Sequence, residues 1–488
     1  MQYLLRYSEI GTKAAGTRRR MLRVLEANLK DAFAREGISA DTTLSLSRGT
    51  VMSEDVRTAE VLQRIFGIQS FSPVHELSVS DLNAFVLDAA EFFMPTVHNK
   101  RFAVRARRVG SHPFTSQDIE RQLGATLLPH AAGVDLTDPE VTCGVEVRSG
   151  HAYLFSERIA GPHGLPLGTQ NRALVLLSGG FDSAVAAWEL MHRGVGTDYC
   201  FFNLGGPIHE EGVLRVAKLL TDRWQYGDNA SIVVVPFMPV VEMIRERTEP
   251  TFWNLVLKQA MLMVAARIAE HRGISVLAAG DAIGQVSSQT LANLTALQDV
   301  GMPVLRPLLT SEKDSIIARA RVVGTEKLSA AVQEYCAIVP KHPVTAATRA
   351  TLGVEWEKID QAALDAASAS VRTLSLNTLA LEKSDALAEV AITKIPDGAR
   401  IIDVREPAAF AAWHAPGAER MDIHDAMQKI TSTTDHLYDL YKKERKPILF
   451  VCEHGLLSAE LAQMARQRGI VAASFKGGAA ALRDALTT

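Results

Sequence analysis

Residues 173–186 read Ala-Leu-Val-Leu-Leu-Ser-Gly-Gly-Phe-Asp-Ser-Ala-Val-Ala. The apolar run 173–177 suits a strand covered on both faces, and the segment 184–192 continues as a helix. Between them, Ser178, Gly179 and Gly180 make a glycine-rich turn. Such a turn leaves backbone N–H groups and the positive end of the helix dipole facing outward, an anion site suited to pyrophosphate. Ser178 and Ser183 can add hydroxyl donors. Asp182 is the odd element, because a carboxylate repels phosphates unless it engages Mg²⁺ or caps the helix. No lysine follows the glycines, so this is not the G-x-x-x-x-G-K-[ST] loop. The simpler alternative is a plain helix-capping turn. Outward from here, residues 199–203, 231–237 and 274–279 are further short apolar runs, separated by helical segments such as 256–271. The alternation predicts a doubly wound parallel sheet.

The 488 residues set a prior of about three domains at roughly 150 residues each. Joints are expected near 170, in the loop Gly-Pro-His-Gly-Leu-Pro-Leu-Gly-Thr at 161–169, and near 390. No uninterrupted apolar run reaches the roughly 18 residues of a membrane span, and the N-terminus lacks a signal-peptide core. The expectation is a cytoplasmic protein without a membrane partner. A net charge of −3 means that any nucleic-acid contact comes from a local basic face. Residues 101–107 supply one: Phe102, Val104 and Ala106 alternate with Arg101, Arg105 and Arg107, and Arg108 follows. The alternative is a solvated strand face.

Four cysteines, Cys143, Cys200, Cys336 and Cys452, lie far apart with no C-x-x-C, so no metal site is expected. Cys143 and Cys200 sit in strand-like runs and read as buried thiols. Cys452 follows the apolar run 447–451 and leads into Gly455 and a helix starting near Ser458. Backbone N–H groups in such a loop favour a thiolate or a persulfide anion.

The motif LSGGFDSAVA at 177–186 resembles the signature of the PP-loop ATP pyrophosphatases. The flanking GLPLGT, CFFNLGG (200–206), GDAIGQVSSQTLANL (280–294), VLRPLL (304–309) and EYC (334–336) resemble tRNA 4-thiouridine synthetases. RYSEIGTK and FAVRARRVGSHPFTSQDIE resemble that family's ferredoxin-like and THUMP modules, while IIDVRE (401–406), HAPGA (414–418) and CEHGLLS (452–458) resemble a rhodanese module. The implied architecture is α/β multidomain: ferredoxin-like 1–58, THUMP 59–165, PP-loop 170–365 and rhodanese-like 390–488.

The resemblance implies nucleotide contacts at Leu176, Leu177, Lys258, Gly280 and Gln289, with Arg306 and Lys313 as weaker candidates for the leaving pyrophosphate. It implies tRNA binding by the arginine strand, a persulfide on Cys452, and Cys336 as the second reactive cysteine. The activity implied is ATP-dependent thiolation of a tRNA uridine, position 8 in the family, through an adenylated uridine with transient Mg²⁺. A cysteine desulfurase would donate the sulfur, and a thiamine sulfur-carrier protein is a possible second acceptor. Many rhodanese loops end on an anion-binding arginine where this chain has Ser458, so thiosulfate is disfavoured as donor. The alternatives are another PP-loop synthetase, which needs an ammonia source, and a tRNA-binding sulfur relay without ATP chemistry.

Overall fold

The computed structural model describes residues 1–79, 81–148, 150–204, 206–297, 299–332, 342–381, 390–431, 446–453 and 455–487. The α/β architecture expected from the sequence is present as three sheets, each with helices packed on it.

The phosphate-loop sheet orders its strands Val304–Leu305, Leu277–Ala278, Gln170–Leu176, Val195–Asn203, Ser231–Pro236 and Arg372–Ser375. All pair in parallel except the last, an antiparallel edge. Period-two alternation sends Leu174, Cys200 and Val233 to one core with the helix Trp253–His271. Ala173, Val175 and Tyr199 go to the other, with the helices Phe181–His192 and Gly206–Trp224. Each fully buried aliphatic side chain contributes roughly 1.5–3 kcal/mol, so a core on each face fixes the register strongly. The strand Leu277–Ala278 is shorter than the run 274–279 suggests, because pairing is confined to these two residues. By length and composition Pro250–His271 could cross a membrane, which the count of uninterrupted apolar residues missed; most of it is buried in the core. Chain order along the sheet reverses between Gln170–Leu176 and Leu277–Ala278. That switch point opens a crevice beyond the strands' C-terminal ends.

In the N-terminal sheet, the strand Ile68–Ser78 pairs first with Gln2–Tyr7 and then, from His75, with His151–Phe155. One long strand thus makes the sheet continuous across both N-terminal modules. The helix Ala15–Glu36 buries Leu22, Leu25, Leu29 and Phe33, and ends at Gly37, whose φ of +66° suits a residue without Cβ. Its remaining face docks on the phosphate-loop unit. Asn28 donates to the Leu167 carbonyl at 3.1 Å, Asp31 accepts from the Gly227 N–H at 2.7 Å, and Glu36 accepts from the Tyr226 hydroxyl at 2.7 Å. Phe66 wedges between Trp188, His192 and Trp224. The joint 161–169 is therefore packed rather than free: Leu165 and Leu167 are buried, and Leu165 N–H donates to the His192 carbonyl.

The third sheet is five-stranded and parallel, ordered Ala391–Ile392, Ala472–Phe475, Ile448–Val451, Arg400–Asp403, Glu419–Arg420.

Candidate active site

Two loops meet at the switch point. The first leaves Leu176, passes the buried Leu177, and turns at Gly179, whose φ is +84°. A Cβ on Gly179 would lie 2.9 Å from Val332 Cγ1 and 3.1 Å from Val213 Cγ2, so both conformation and space require glycine there. Gly180 caps the helix Phe181–His192. Ser183 ties the turn together: its hydroxyl accepts from the Ser178 N–H at 3.2 Å and donates to the Gly180 carbonyl at 3.2 Å. Ser178 Oγ lies 3.2 Å from the same hydroxyl.

The second loop begins at Gly280. The space of its missing Cβ is taken by the Asp182 and Ser183 backbone, 2.7–2.8 Å away. Chain against chain, not an approaching ligand, is what excludes a larger residue. Asp281 next to it is buried and gathers three donors: Lys258 by an ion pair, Arg306 Nε at 3.0 Å and Gln289 Nε2 at 3.4 Å. Burial lowers the Lys258 pKa, and Asp281 draws it part of the way back. Two cations on one carboxylate leave a net positive cluster. Asp182, on the phosphate loop itself, accepts from Lys313 at 2.9 Å and from Gln285 Nε2 at 2.9 Å. His209, one turn before Val213 on the helix Gly206–Trp224, packs edge-on to Phe201 at 4.9 Å. Burial pushes its pKa down to about 4, partly offset by the Ser178 carbonyl it faces.

The site thus brings together Ser178, Gly179, Gly180, Asp182, Ser183, Lys258, Gly280 and Gln289, with Arg306 and Lys313. Asp281, Gln285 and His209 were not singled out from sequence, although the first two stand inside the quoted stretch 280–294. An acidic residue next to the Gly280 turn was the available signal. Cys336 lies outside the described residues. Val332, the last residue before its segment, packs against Gly179 and Gly212.

Cys452 follows the strand Ile448–Val451 and is buried. Its Sγ accepts from the N–H groups of Gly455 at 3.2 Å and Ser458 at 3.4 Å, and lies 3.2 Å from the Ser458 hydroxyl. The helix Leu456–Gln467 starts immediately beyond, so its positive end faces the sulfur. Nearby, Arg405 is held bidentately by Asp403, with the Glu453 carboxylate 3.7 Å from it. The other two described cysteines are inert by burial: the Cys143 thiol is pushed up to about 12, and Cys200 is also raised.

On the strand Arg101–Val109, Arg101, Arg105 and Arg107 are exposed while Phe102 and Val104 are buried. Ala103, on the arginine side, is buried as well. Arg101 pairs with Asp135 at 3.4 Å, and Arg105 donates to the Leu136 carbonyl. Arg108 turns back to the Gly110 carbonyl at 3.1 Å.

Residues 168–361 match the family described as Thiamine biosynthesis protein (ThiI). The ThiI ferredoxin-like, THUMP and rhodanese-like domain families match residues 2–72, 79–157 and 387–485. A tRNA sulfurtransferase of Pyrobaculum aerophilum is 36% identical over 482 residues, covering 97% of this chain and 96% of that one. The chain belongs to the tRNA sulfurtransferase family. A tRNA sulfurtransferase of Proteus mirabilis is 34% identical over 479 residues, covering 96% of this chain and 98% of that protein. Among solved structures, a 4-thiouridine synthetase–RNA complex with bound ATP is similar at a TM-score of 0.67 and 28% identity, covering 77% of this chain and 99% of the other. Along the chain the matched modules run ferredoxin-like, THUMP, ThiI and rhodanese-like, the order expected from the sequence.

Proposed function

We propose that this chain uses ATP to replace a uridine oxygen of tRNA with persulfide sulfur, giving 4-thiouridine. The carrying observation is the meeting, at the switch point, of the Ser178–Ser183 turn with the net positive cluster of Lys258, Arg306 and Asp281. The start of the helix Phe181–His192 and two partly buried cations together suit a polyphosphate better than either would alone.

Uridine C4 is a poor electrophile because its oxygen leaves badly. In this reading O4 bonds to the α-phosphorus of ATP, pyrophosphate leaves, and the uridine becomes adenylated. The Gly179–Gly180 turn, Lys258, Arg306 and Lys313 stabilise the charge growing on pyrophosphate. Among the described residues no group of three or more His, Cys, Asp or Glu side chains gathers to hold a metal. Mg²⁺ would therefore arrive with ATP, and Asp182 is placed to meet it once Lys313 turns to phosphate.

The Cys452 thiolate takes the terminal sulfur of a donor persulfide: a new S–S bond forms at Cys452, and the donor cysteine leaves as thiolate. The terminal sulfur then bonds to C4 and displaces AMP. Attack of Cys336 on Cys452 Sγ releases the thiouridine and leaves a Cys336–Cys452 disulfide, which an external dithiol reduces. Val332, four residues before Cys336 in the sequence, packs against Gly179, which favours a role for Cys336 at this site. Glu453 beside the loop, with Ser458 in place of an arginine, favours a protein persulfide from a cysteine desulfurase over thiosulfate. We assign tRNA docking to Arg101, Arg105, Arg107 and Arg108, and a cytoplasmic setting. Delivery to a thiamine sulfur carrier is a second outlet for the same persulfide.

The test is nucleoside mass spectrometry after incubating the chain with unmodified tRNA, ATP, cysteine, a desulfurase and a dithiol. 4-Thiouridine should appear and require ATP, Cys452 and Cys336. Thiouridine formed without ATP would leave a sulfur relay as the answer.

A further inference from the structure

Behind Cys452 lies a chain of hydroxyls that ends on a backbone carbonyl. Ser458 Oγ is 3.2 Å from Cys452 Sγ and 2.7 Å from Ser474 Oγ, and Ser474 Oγ is 3.0 Å from the Gly455 carbonyl oxygen. Ser458 and Ser474 are both fully buried, so water does not complete their bonding. A carbonyl only accepts, so the single Ser474 proton goes to Gly455. Ser474 then accepts from Ser458, and Ser458 accepts from the Cys452 S–H. With the thiol protonated, the chain is polarised away from sulfur and all three bonds are made.

Loss of the thiol proton changes the demand. A thiolate has no hydrogen to give and is stabilised by donors, so the Ser458 hydroxyl turns toward sulfur. Ser474 can then follow it, donating to Ser458 and leaving Gly455, or stay on Gly455. Either way the hydroxyl chain makes two bonds where it made three. We propose that Ser474 is a positioning residue for the sulfur carrier: it holds the Ser458 hydroxyl away from Cys452 until the sulfur becomes anionic. The inference rests on the reading of Cys452 as carrier only for its biological meaning; the proton arithmetic concerns the thiol itself. Its consequence is a hydroxyl donor already within one rotation of the anion when the anion forms.

Removing the two hydroxyls should act with opposite sign. Without Ser474, Ser458 has no rival acceptor, so forming the thiolate no longer costs the chain a bond. Ser474→Ala should lower the midpoint of Cys452 alkylation, followed on the full chain with iodoacetamide from pH 6 to 10. The expected shift is about half a unit to one unit, the size of one neutral hydrogen bond. Ser458→Ala removes the charge-assisted bond to the anion, roughly twice as strong as a neutral one and so outweighing the weak S–H and hydroxyl bonds it also removes from the thiol form, and should raise the midpoint by a smaller amount. In the double variant, Ser474→Ala should add nothing, because no hydroxyl remains for it to orient.

The alkylated site is read by peptide mass, and a cooperative melt is required of each variant. If Ser474→Ala fails to fold, Ser474→Cys replaces it, with a smaller shift of the same sign because sulfur accepts weakly. A packing role would move both single variants the same way or neither. An unchanged or raised midpoint in the folded Ser474 variant overturns the proposal. Failure of wild-type Cys452 to load desulfurase sulfur, with the alkylation shifts intact, would instead remove the carrier reading.

Discussion

Asp182 and Asp281 each hold cations that a polyphosphate would compete for. Lys313 rests on Asp182, and Lys258 with Arg306 rests on Asp281. Asp182→Ala should cut tRNA-dependent pyrophosphate release by about 10²-fold or more, the scale of losing one transition-state contact. Binding of tRNA should change little, which a filter assay on the same preparation would show; wild-type release would remove Asp182 from the chemistry. His209 makes a separate pH prediction. Its pKa falls from an ordinary 6.5 to about 4 on burial, so between those values the unfolded chain binds more protons. Stability owed to neutral His209 is full above pH 6.5 and declines as pH falls toward 4. His209→Asn should lose less of its urea midpoint between pH 7 and pH 5 than wild type does, and an equal loss would place the acid sensitivity elsewhere. These two residues differ in how readable they were. Asp182 stands inside a motif whose local pattern names its neighbours. His209 is joined to Ser178 only through the packing of a helix whose placement no local pattern encodes.

At the scale of elements, the arginine strand and the Cys452 loop were largely legible because each is one local pattern: period-two alternation, and a strand ending in cysteine before a glycine. The short pairing of Leu277–Ala278 was not, since its length is set by which neighbour reaches it rather than by its own apolar run. The bonds made by the strand's arginines also depend on loops elsewhere. Arg105 and Arg107 are exposed, but Arg105 already donates to the Leu136 carbonyl. Replacing both with alanine should weaken tRNA binding and reduce the slope of log affinity against log salt by up to about 2. A slope that stays put would place the RNA footprint on another face. The fall should be nearer one than two if the Leu136 contact keeps Arg105 from phosphate.

The largest-scale feature is the buried junction of the two N-terminal modules. Arg6 donates to Glu146 at 2.7 Å and to the Ser72 hydroxyl at 2.9 Å, and its guanidinium lies 4.5 Å from the Phe155 ring centroid. Arg48 takes the other Glu146 oxygen at 2.9 Å. Burial raises the Glu146 pKa, but Arg6 and Arg48 outweigh it and hold the carboxyl below its ordinary 4.5. Its contribution to stability is therefore present above about pH 4.5 and lost as pH falls through the lower folded value. Glu146→Gln should destabilise the N-terminal unit by about 3–5 kcal/mol by stranding buried guanidinium groups. Calorimetry that found both modules melting unchanged would show that the pair is neutral.

The strand Ile68–Ser78 and the Arg6–Glu146 pair also set a schedule for the nascent chain. Arg6 leaves the ribosome 140 residues ahead of its carboxylate. At roughly 5–20 residues per second that is about 7–28 s during which the first strand exists without the partner that neutralises it. The half of Ile68–Ser78 that later binds His151–Phe155 must likewise wait with one edge open. Synthesis of this protein thus exposes an unneutralised arginine and a half-paired sheet edge before its second module arrives, which is the period when a chaperone or a stray strand would find them.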